Sequence, residues 1–457
     1  MSESISESAS VRSPLAAPER VPSDLVPAPV ADARDRSGQE HTPAKAVTLP
    51  GPYQVTLHET FDQVQESDWE RVTQHLTHPY MDPRFLRATV RTLGKPIRYW
   101  FAQFTTASGE PVAAACFSLF PSDGSLFLSE GVQKRVESVR RWWPSFFKFN
   151  VLLQGMPVTT GESGLAYRAG MDLPQLLRQV DEISCRLALK HGANFISVKE
   201  LDEPACQELS YLTEIGYRRA DSALTWTMAN EFRDFPHYYD SRTKRTRANM
   251  RKVFKKFEEA GLQSRHLRGR SDRVDELFTD EVHQLYMAVF RRAHIKFEVL
   301  PAEFFREVAR QLGDDSHWTF FYDGDRIVGF VLGIHHAHMH YMLLCGVDYQ
   351  INDKTDLYFN LLYKALEAAI STGSPWIRVG ASADEFKMRM GTFPKPLYFY
   401  IKSPRAWVRA ILNRAFLAIF PPFSPSALQY LARAKEEAAG SDGVEKAKSD
   451  SAVDAGG

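Results

Sequence analysis

The feature that most narrows the possible folds is an order of elements that the chain runs through twice. In the first pass, Pro96 to Phe120 carries the β-forming residues Tyr99, Phe101, Val112 and Phe117 on either side of an Ala107-Ser108-Gly109 turn. An amphipathic stretch from Pro174 to His191 follows, stops at Gly192 and leads into a short apolar strand at Phe195 to Val198. Glu203 to Gly216 then reads as a helix and Leu224 to Met228 as a terminal strand. In the second pass, Trp318 to Tyr322, the Asp323-Gly324-Asp325 turn and Ile327 to Ile334 repeat the hairpin pattern, and Met339 to Val347 adds a strand. Leu357 to Ser371 is the matching helix, Gly373 its stop, and Trp376 to Val379 the matching short strand. Strands interleaved with one-faced helices require a mixed β-sheet with helices packed on it, so the fold class is α/β, as two tandem lobes.

Two lobes also suit the length. A chain of 457 residues exceeds the roughly 250 to 300 that one core can serve. Residues 1–50 are rich in Ser, Ala, Pro and Glu with hardly an aromatic, a composition that cannot offset the entropy of ordering. They read as a disordered arm, as do residues 436–457 at the other end. Between them the reading is a lobe over 51–232, a basic helical connector over 233–265, a second lobe over 266–403 and an amphipathic helix over 404–435.

Lys plus Arg and Asp plus Glu both total 56, so no global field draws in nucleic acid and a polyanion must find a local patch. The four cysteines stand apart, without a CxxC pair, in apolar or helical stretches, and read as reduced core thiols. Residues 1–30 hold acids and prolines in place of a basic flank and an apolar run. Nowhere do about 18 apolar residues follow one another. The expectation is a cytoplasmic protein.

A local patch does exist. Between Asp240 and Glu259 stand Arg242, Lys244, Arg245, Arg247, Arg251, Lys252, Lys255 and Lys256, with Val253, Phe254 and Phe257 as a narrow apolar edge. Either this is a solvated connecting helix, or Arg245, Arg247 and Arg251 cradle the phosphates of a cofactor, a tRNA or a lipid headgroup.

The run Leu357 to Gly373, then Trp376-Ile377-Arg378-Val379-Gly380, then Glu385-Phe386-Lys387 and Gly391, resembles the peptidoglycan-biosynthesis branch of the GNAT superfamily, which contains Fem-like and BioF2-like acyltransferases. That resemblance implies tandem GNAT-like lobes and transfer of an acyl or aminoacyl group to an amine, such as that of a cell-envelope precursor, with acyl-CoA or aminoacyl-tRNA as donor and no metal. Where GNAT enzymes carry a glycine-rich pyrophosphate loop, this chain reads Gln350-Ile351-Asn352-Asp353-Lys354-Thr355-Asp356, without glycine. Fem-like members, which draw on aminoacyl-tRNA, likewise do without it.

Direct attack by an amine needs a base and a donor aimed at the developing oxyanion. In the loop after Gly380, Glu385 is the candidate base and Lys387 the candidate donor, unless the two are a surface ion pair. Asp348, Tyr349, Asn352 and Asn360, between the Val347 strand and the next helix, are candidates to bind the acyl donor; Asp348 is equally a turn residue, and Asp353 or Thr355 an N-cap. Arg291, Arg292 and Lys296 are candidates to line an acceptor cleft. His335, His336, His338 and His340 fall where a hairpin must reverse and lack a local Cys, Asp or Glu to complete a metal set.

From Pro404 to Lys435, Trp407, Ile411, Leu412, Phe416 and Leu417 recur at helical spacing beside Arg405, Arg409 and Arg414. Such a helix either docks on the second lobe or lies in the inner face of a membrane, within reach of a lipid-linked amine. The rival reading of the whole chain is a non-catalytic scaffold that holds an anionic ligand or partner.

Overall fold

The computed structural model describes residues 45–434 and 436, apart from 95–96, 128–129, 160–161, 294–298 and 381–383. Its strands are β1 (Lys45–Val47), β2 (Gln54–His58), β3 (Arg98–Thr105), β4 (Pro111–Asp123), β5 (Lys148–Gln154), β6 (Leu165–Tyr167) and β7 (Ala193–Leu201). They continue with β8 (Arg218–Ala229), β9 (Gln263–Arg268), β10 (Ser316–Asp323), β11 (Arg326–His336), β12 (Met339–Val347), β13 (Trp376–Arg378) and β14 (Phe393–Lys402). All belong to one mixed sheet in the order β1-β2-β3-β4-β5-β7-β14-β8-β13-β12-β11-β10-β9, with β6 on β4.

That order joins the lobes by exchange. β8 closes the first lobe in sequence yet pairs with β13, and β14 closes the second yet pairs with β7; the two exchanged strands lie side by side. Each half keeps one parallel pair, β5 with β7 and β12 with β13, flanked by antiparallel strands. The exchange removes the edges that two separate sheets would expose. It is tied down at Lys402 of β14, whose ammonium reaches Asp181 in the first-lobe helix Leu173–Lys190 at 2.6 and 2.8 Å and the Ile215 carbonyl at 3.0 Å.

Alternation sets the layers. In the second half, Trp318, Phe320, Phe330 and Tyr341 face the helices Asp280–Arg292 and Ala302–Leu312, and the same core takes in Tyr80 and Phe85 of the first lobe. Phe321, Val331 and Met342 face the other way, onto helices Leu357–Ser371 and Lys244–Glu259. In the first half, Trp100, Phe117, Leu152 and Ile196 pack with Leu176, Val180 and Ile183 of the Leu173–Lys190 helix.

Three expectations change here. Residues 45–50 are not part of a disordered arm, because β1 pairs with β2; residues 1–44 and 437–457 lie outside the described residues. Nor is 233–265 a free connector: the buried Met250 and Phe257 seat its helix in the second-lobe core, and β9 begins at Gln263. The single helix expected over Glu203 to Gly216 is two short ones, Glu203–Glu208 and Tyr211–Glu214. The histidine hairpin turns at Ala337, in the left-handed region at φ 50°.

Candidate active site

β12 and β13 are paired at only three positions, Met339 with Trp376, His340 with Ile377 and Tyr341 with Arg378. Beyond Tyr341, β12 runs on to Val347 without β13 beside it. A bulge at the same point leaves Leu343 unmatched, since Gly333 faces Met342 while Leu332 faces Leu344. The corresponding pair in the first lobe stays together for five positions, up to Gln154 at the end of β5. The carboxyl ends of parallel strands that part from each other are where open α/β sheets place ligands, with edge peptide groups released from the ladder.

The last registered pair, Tyr341 with Arg378, brings ionisable groups of both lobes together. Arg378 Nη1 lies 2.6 Å from Glu162 Oε1, and Glu162 comes from the loop that precedes β6 in the first lobe. The guanidinium stands 5.2 Å from the Tyr341 ring, which meets Tyr80 edge-on at 5.8 Å and donates its hydroxyl to the Thr77 carbonyl at 3.3 Å. Both lobes therefore build this wall. The Arg378 side chain is 8% exposed and that of Glu162 20%, so the carboxylate keeps an approach from solvent. Burial raises the Glu162 carboxyl to about 7, the Arg378 charge opposing it without prevailing. Burial likewise holds His78 neutral, pushed down to about 3. A carboxyl that titrates near neutrality is suited to take a proton from an attacking nucleophile.

Cysteine chemistry is disfavoured. Cys345, on β12, is pushed up to about 11 by burial although the Lys387 ammonium pulls it down; Cys185 also reaches about 11, Cys116 about 12, and Cys206 is raised. Thiols held protonated are poor acyl acceptors.

The residues expected from sequence fall into several places. Glu385 and Lys387 share the Asp384–Arg389 helix but not a face: the Glu385 side chain is 63% exposed and pairs with Arg389, while Lys387 is buried. A spacing of two residues turns side chains apart on a helix, so Glu385 is a surface ion-pair partner and not the base facing Lys387. A β-carbon at Gly380 would stand 3.8 Å from Lys387 Nζ, which puts the ammonium at the parting strands. Asp348 caps the Tyr349–Thr355 helix through the Gln350 amide at 2.9 Å and pairs with Arg326 at 2.8 Å. Tyr349 and Arg292 do meet, the guanidinium 3.7 Å from the ring centroid. Asn360 is a clasp: its buried amide donates to the carbonyl of Val253 in the basic helix at 3.1 Å and to that of Asp356 at 3.1 Å. Arg247 is spent on the Asp240 and Arg242 carbonyls at 2.8 and 2.7 Å, Arg251 reaches the Tyr239 hydroxyl at 3.0 Å, and Arg245 is exposed. Lys296 lies outside the described residues.

The start of the Leu357–Ser371 helix does not fit a CoA pyrophosphate. Such a group needs unsatisfied amides at a helix N-terminus. Here the Tyr358 amide is taken by Asn352 Oδ1 at 2.9 Å, and the Phe359 and Asn360 amides by the Asp356 carbonyl at 3.1 Å. Asp353 and Asp356 add negative charge to the same end, Asp356 pairing with Lys256 of the basic helix at 2.9 Å. Among the described residues no group of three or more His, Cys, Asp or Glu could hold a metal ion.

The reading of the sequence did not reach Glu162, whose partner lies 216 residues away in the chain. Arg378 gave a usable signal, a cation inside an otherwise apolar strand, which requires a buried partner.

No curated protein matches this chain in sequence. Among solved structures it is similar to L-PGS from Bacillus licheniformis (11% identity over 76% of this chain and 96% of that one, TM-score 0.45). It is also similar to FemX (11%, 74% and 96%, TM-score 0.46) and to a tandem GNAT protein from the clavulanic acid biosynthesis pathway (10%, 77% and 99%, TM-score 0.46). The family described as Acetyltransferase (GNAT) domain matches residues 244–388, from the first residue of the basic helix to the one after Lys387, so this stretch of the chain is similar to a GNAT acetyltransferase domain.

Proposed function

We propose that this chain is an acyltransferase that passes an aminoacyl or other acyl group directly to an amine, at the parting ends of β12 and β13, with Glu162 as general base. The observation that carries the reading is the Glu162–Arg378 pair, which puts a carboxyl that titrates near neutrality beside the seam of a GNAT domain. Glu162 takes the proton as the amine nitrogen attacks the donor carbonyl, and the intermediate collapses with the C–N bond kept and the donor's C–O ester bond broken, the departing ribose oxygen taking the proton back from Glu162. Arg378 and the wall of Tyr341 and Tyr80 hold the carboxylate in position. Released edge amides of β12 and the Lys387 ammonium are the groups available to the oxyanion. With the thiols protonated, transfer proceeds without an acyl-enzyme.

GNAT domains usually use acyl-CoA, but the capped helix start disfavours its pyrophosphate, and the exposed bases Arg245, Arg251, Lys252 and Lys255 favour a larger polyanion. Aminoacyl-tRNA is therefore the proposed donor, and a small-molecule or lipid-linked amine of the cell envelope the proposed acceptor. The test is native mass spectrometry and filter binding of the full chain with acetyl-CoA and with a mixed charged tRNA pool. Retention of tRNA without CoA supports the reading. Retention of CoA alone overturns the donor, and retention of neither favours the non-catalytic scaffold.

A further inference from the structure

The Ala406–Ile419 helix and the segment before β5 leave large apolar side chains facing solvent. The Ala406–Ile419 helix is apolar on two opposite sides. Leu412 and Phe416 pack inward on Ala220 and Ile401 of the exchanged strands, and Val408 on the same side is buried. Trp407, Ile411 and Leu417 point away, 65%, 59% and 69% exposed, so docking accounts for one stripe and leaves the other unexplained. A separate element, the segment before β5, exposes Trp142 by 92% and Trp143 by 60%. A row of rings connects the two: Phe147 meets Phe149 at 6.2 Å, Phe149 meets Phe195 at 5.0 Å, and Phe195 packs against the cluster beneath the helix. Both projecting elements therefore share one side of the β5-β7-β14-β8 region.

We propose that this side docks on the surface of an anionic lipid bilayer, with the three tryptophans in the acyl boundary. Large exposed apolar side chains in one patch mark an interaction site. Tryptophan specifically suits the boundary between headgroup and chain. Charge selects the occupant: the Ala406–Ile419 helix holds Arg409 and Arg414 and no acid, with Arg405 just before it, and Lys134, Arg135 and Arg141 stand exposed around the other element. Among the described residues no helix is long and apolar enough to cross a membrane, so the contact is peripheral. The bound chain also lies close to the proposed site. Beyond Pro421-Pro422 the helical residues 425–434 carry Tyr430 to the Trp226 ring, 5.7 Å away, and the Trp226 amide bonds the Gly380 carbonyl at 3.2 Å. Docking does not depend on the transfer chemistry.

The test is co-sedimentation of the full chain with vesicles of phosphatidylcholine alone and of phosphatidylcholine with phosphatidylglycerol, alongside two variants, Trp142→Ser with Trp143→Ser, and Trp407→Ser with Ile411→Ser and Leu417→Ser. All five side chains are exposed, so circular dichroism should stay unchanged. The full chain is expected on anionic vesicles, each variant losing roughly tenfold or more in partition coefficient. Tryptophan emission should also be quenched by brominated acyl chains in the full chain. Absence of the full chain from anionic vesicles, or equal binding by both variants, overturns the proposal. So does a concentration-dependent dimer in sedimentation velocity that the variants abolish while vesicle binding is missing, which would make the face a contact between copies.

Discussion

Replacing Glu162 with Gln removes the carboxylate that titrates and keeps an oxygen that can accept from Arg378 Nη1, now 2.6 Å from Glu162 Oε1. General base catalysis contributes about 10²- to 10⁴-fold, or about 3 to 5 kcal/mol of barrier. With a carboxyl near 7, about a tenth is ionised at pH 6 and about nine tenths at pH 8. The transfer rate of the unmodified chain should therefore rise about tenfold per pH unit below neutrality and level off above it. The variant should be about 10²- to 10⁴-fold slower and without that inflection. Stability offers a control, because burial raises this acid from 4.5 to about 7 and so disfavours its ionised form by about 3 kcal/mol. A raised acid contributes stability that is fully present below pH 4.5 and lost as pH rises through about 7. Glu162→Gln abolishes that slope, so the variant should melt no lower than the parent at pH 8. The assay is label transfer to a primary amine between pH 5.5 and 8.5 with melting curves at each end. A variant that keeps the parental rate, or keeps the inflection while slower, would refute Glu162 as base.

Three further outcomes follow from the same geometry. Substituting Gln at Arg245, Arg251 and Lys252 together should weaken tRNA binding and lower the salt slope by roughly 2 to 3, read by filter binding between about 50 and 200 mM salt; an unchanged slope returns the helix to a solvated face. Lys402→Met should cost about 3 to 5 kcal/mol in urea unfolding, because Asp181 is left uncompensated with its side chain only 16% exposed; a cost under about 1 kcal/mol would mean that the pair does not hold the exchange. His78 and His317 are both pushed down to about 3 by burial, so their stability is present above the unfolded value of 6.5 and is lost as pH falls towards 3, at about 1.4 kcal/mol per pH unit for each. Glu162 works in the opposite direction over part of that range, so His317→Asn, measured between pH 6 and 4, isolates the histidine contribution; an unaltered slope would sink the assignment.

The lobes were legible because local rules produce them. The Asp323-Gly324-Asp325 turn lies between β10 and β11, and Gly192 and Gly373 adopt positive φ just after their helices, as their positions in the sequence foretold. The exchange of β8 and β14 was not legible, since pairing partners far apart in sequence leave no periodic trace in either strand. Tyr400 opposite Val198 looks like any buried strand residue. For the site, nothing between Trp376 and Gly380 foretold where β13 parts from β12, and Tyr349 and Arg292 were separate candidates that the fold brings into contact. Glu385 misled because residues in a short loop and on a short helix are alike in sequence, and only the helix turns it towards Arg389. Asn360 was a ligand candidate because it lies just inside the helix after the Val347 strand; its buried amide instead bonds the backbone of the neighbouring helix.

The most direct test of the central claim follows the acyl group itself. The full chain would be mixed in excess with aminoacyl-tRNA labelled in the aminoacyl group, and separately with labelled acetyl-CoA, then given a lysine-containing peptide or phosphatidylethanolamine vesicles. Samples quenched through a single turnover would be resolved into donor, protein and acceptor. Label that passes from tRNA to the acceptor amine without appearing on protein is the predicted result. Label that accumulates on the protein and then chases into acceptor, or that leaves neither donor, would contradict direct transfer at the seam between β12 and β13.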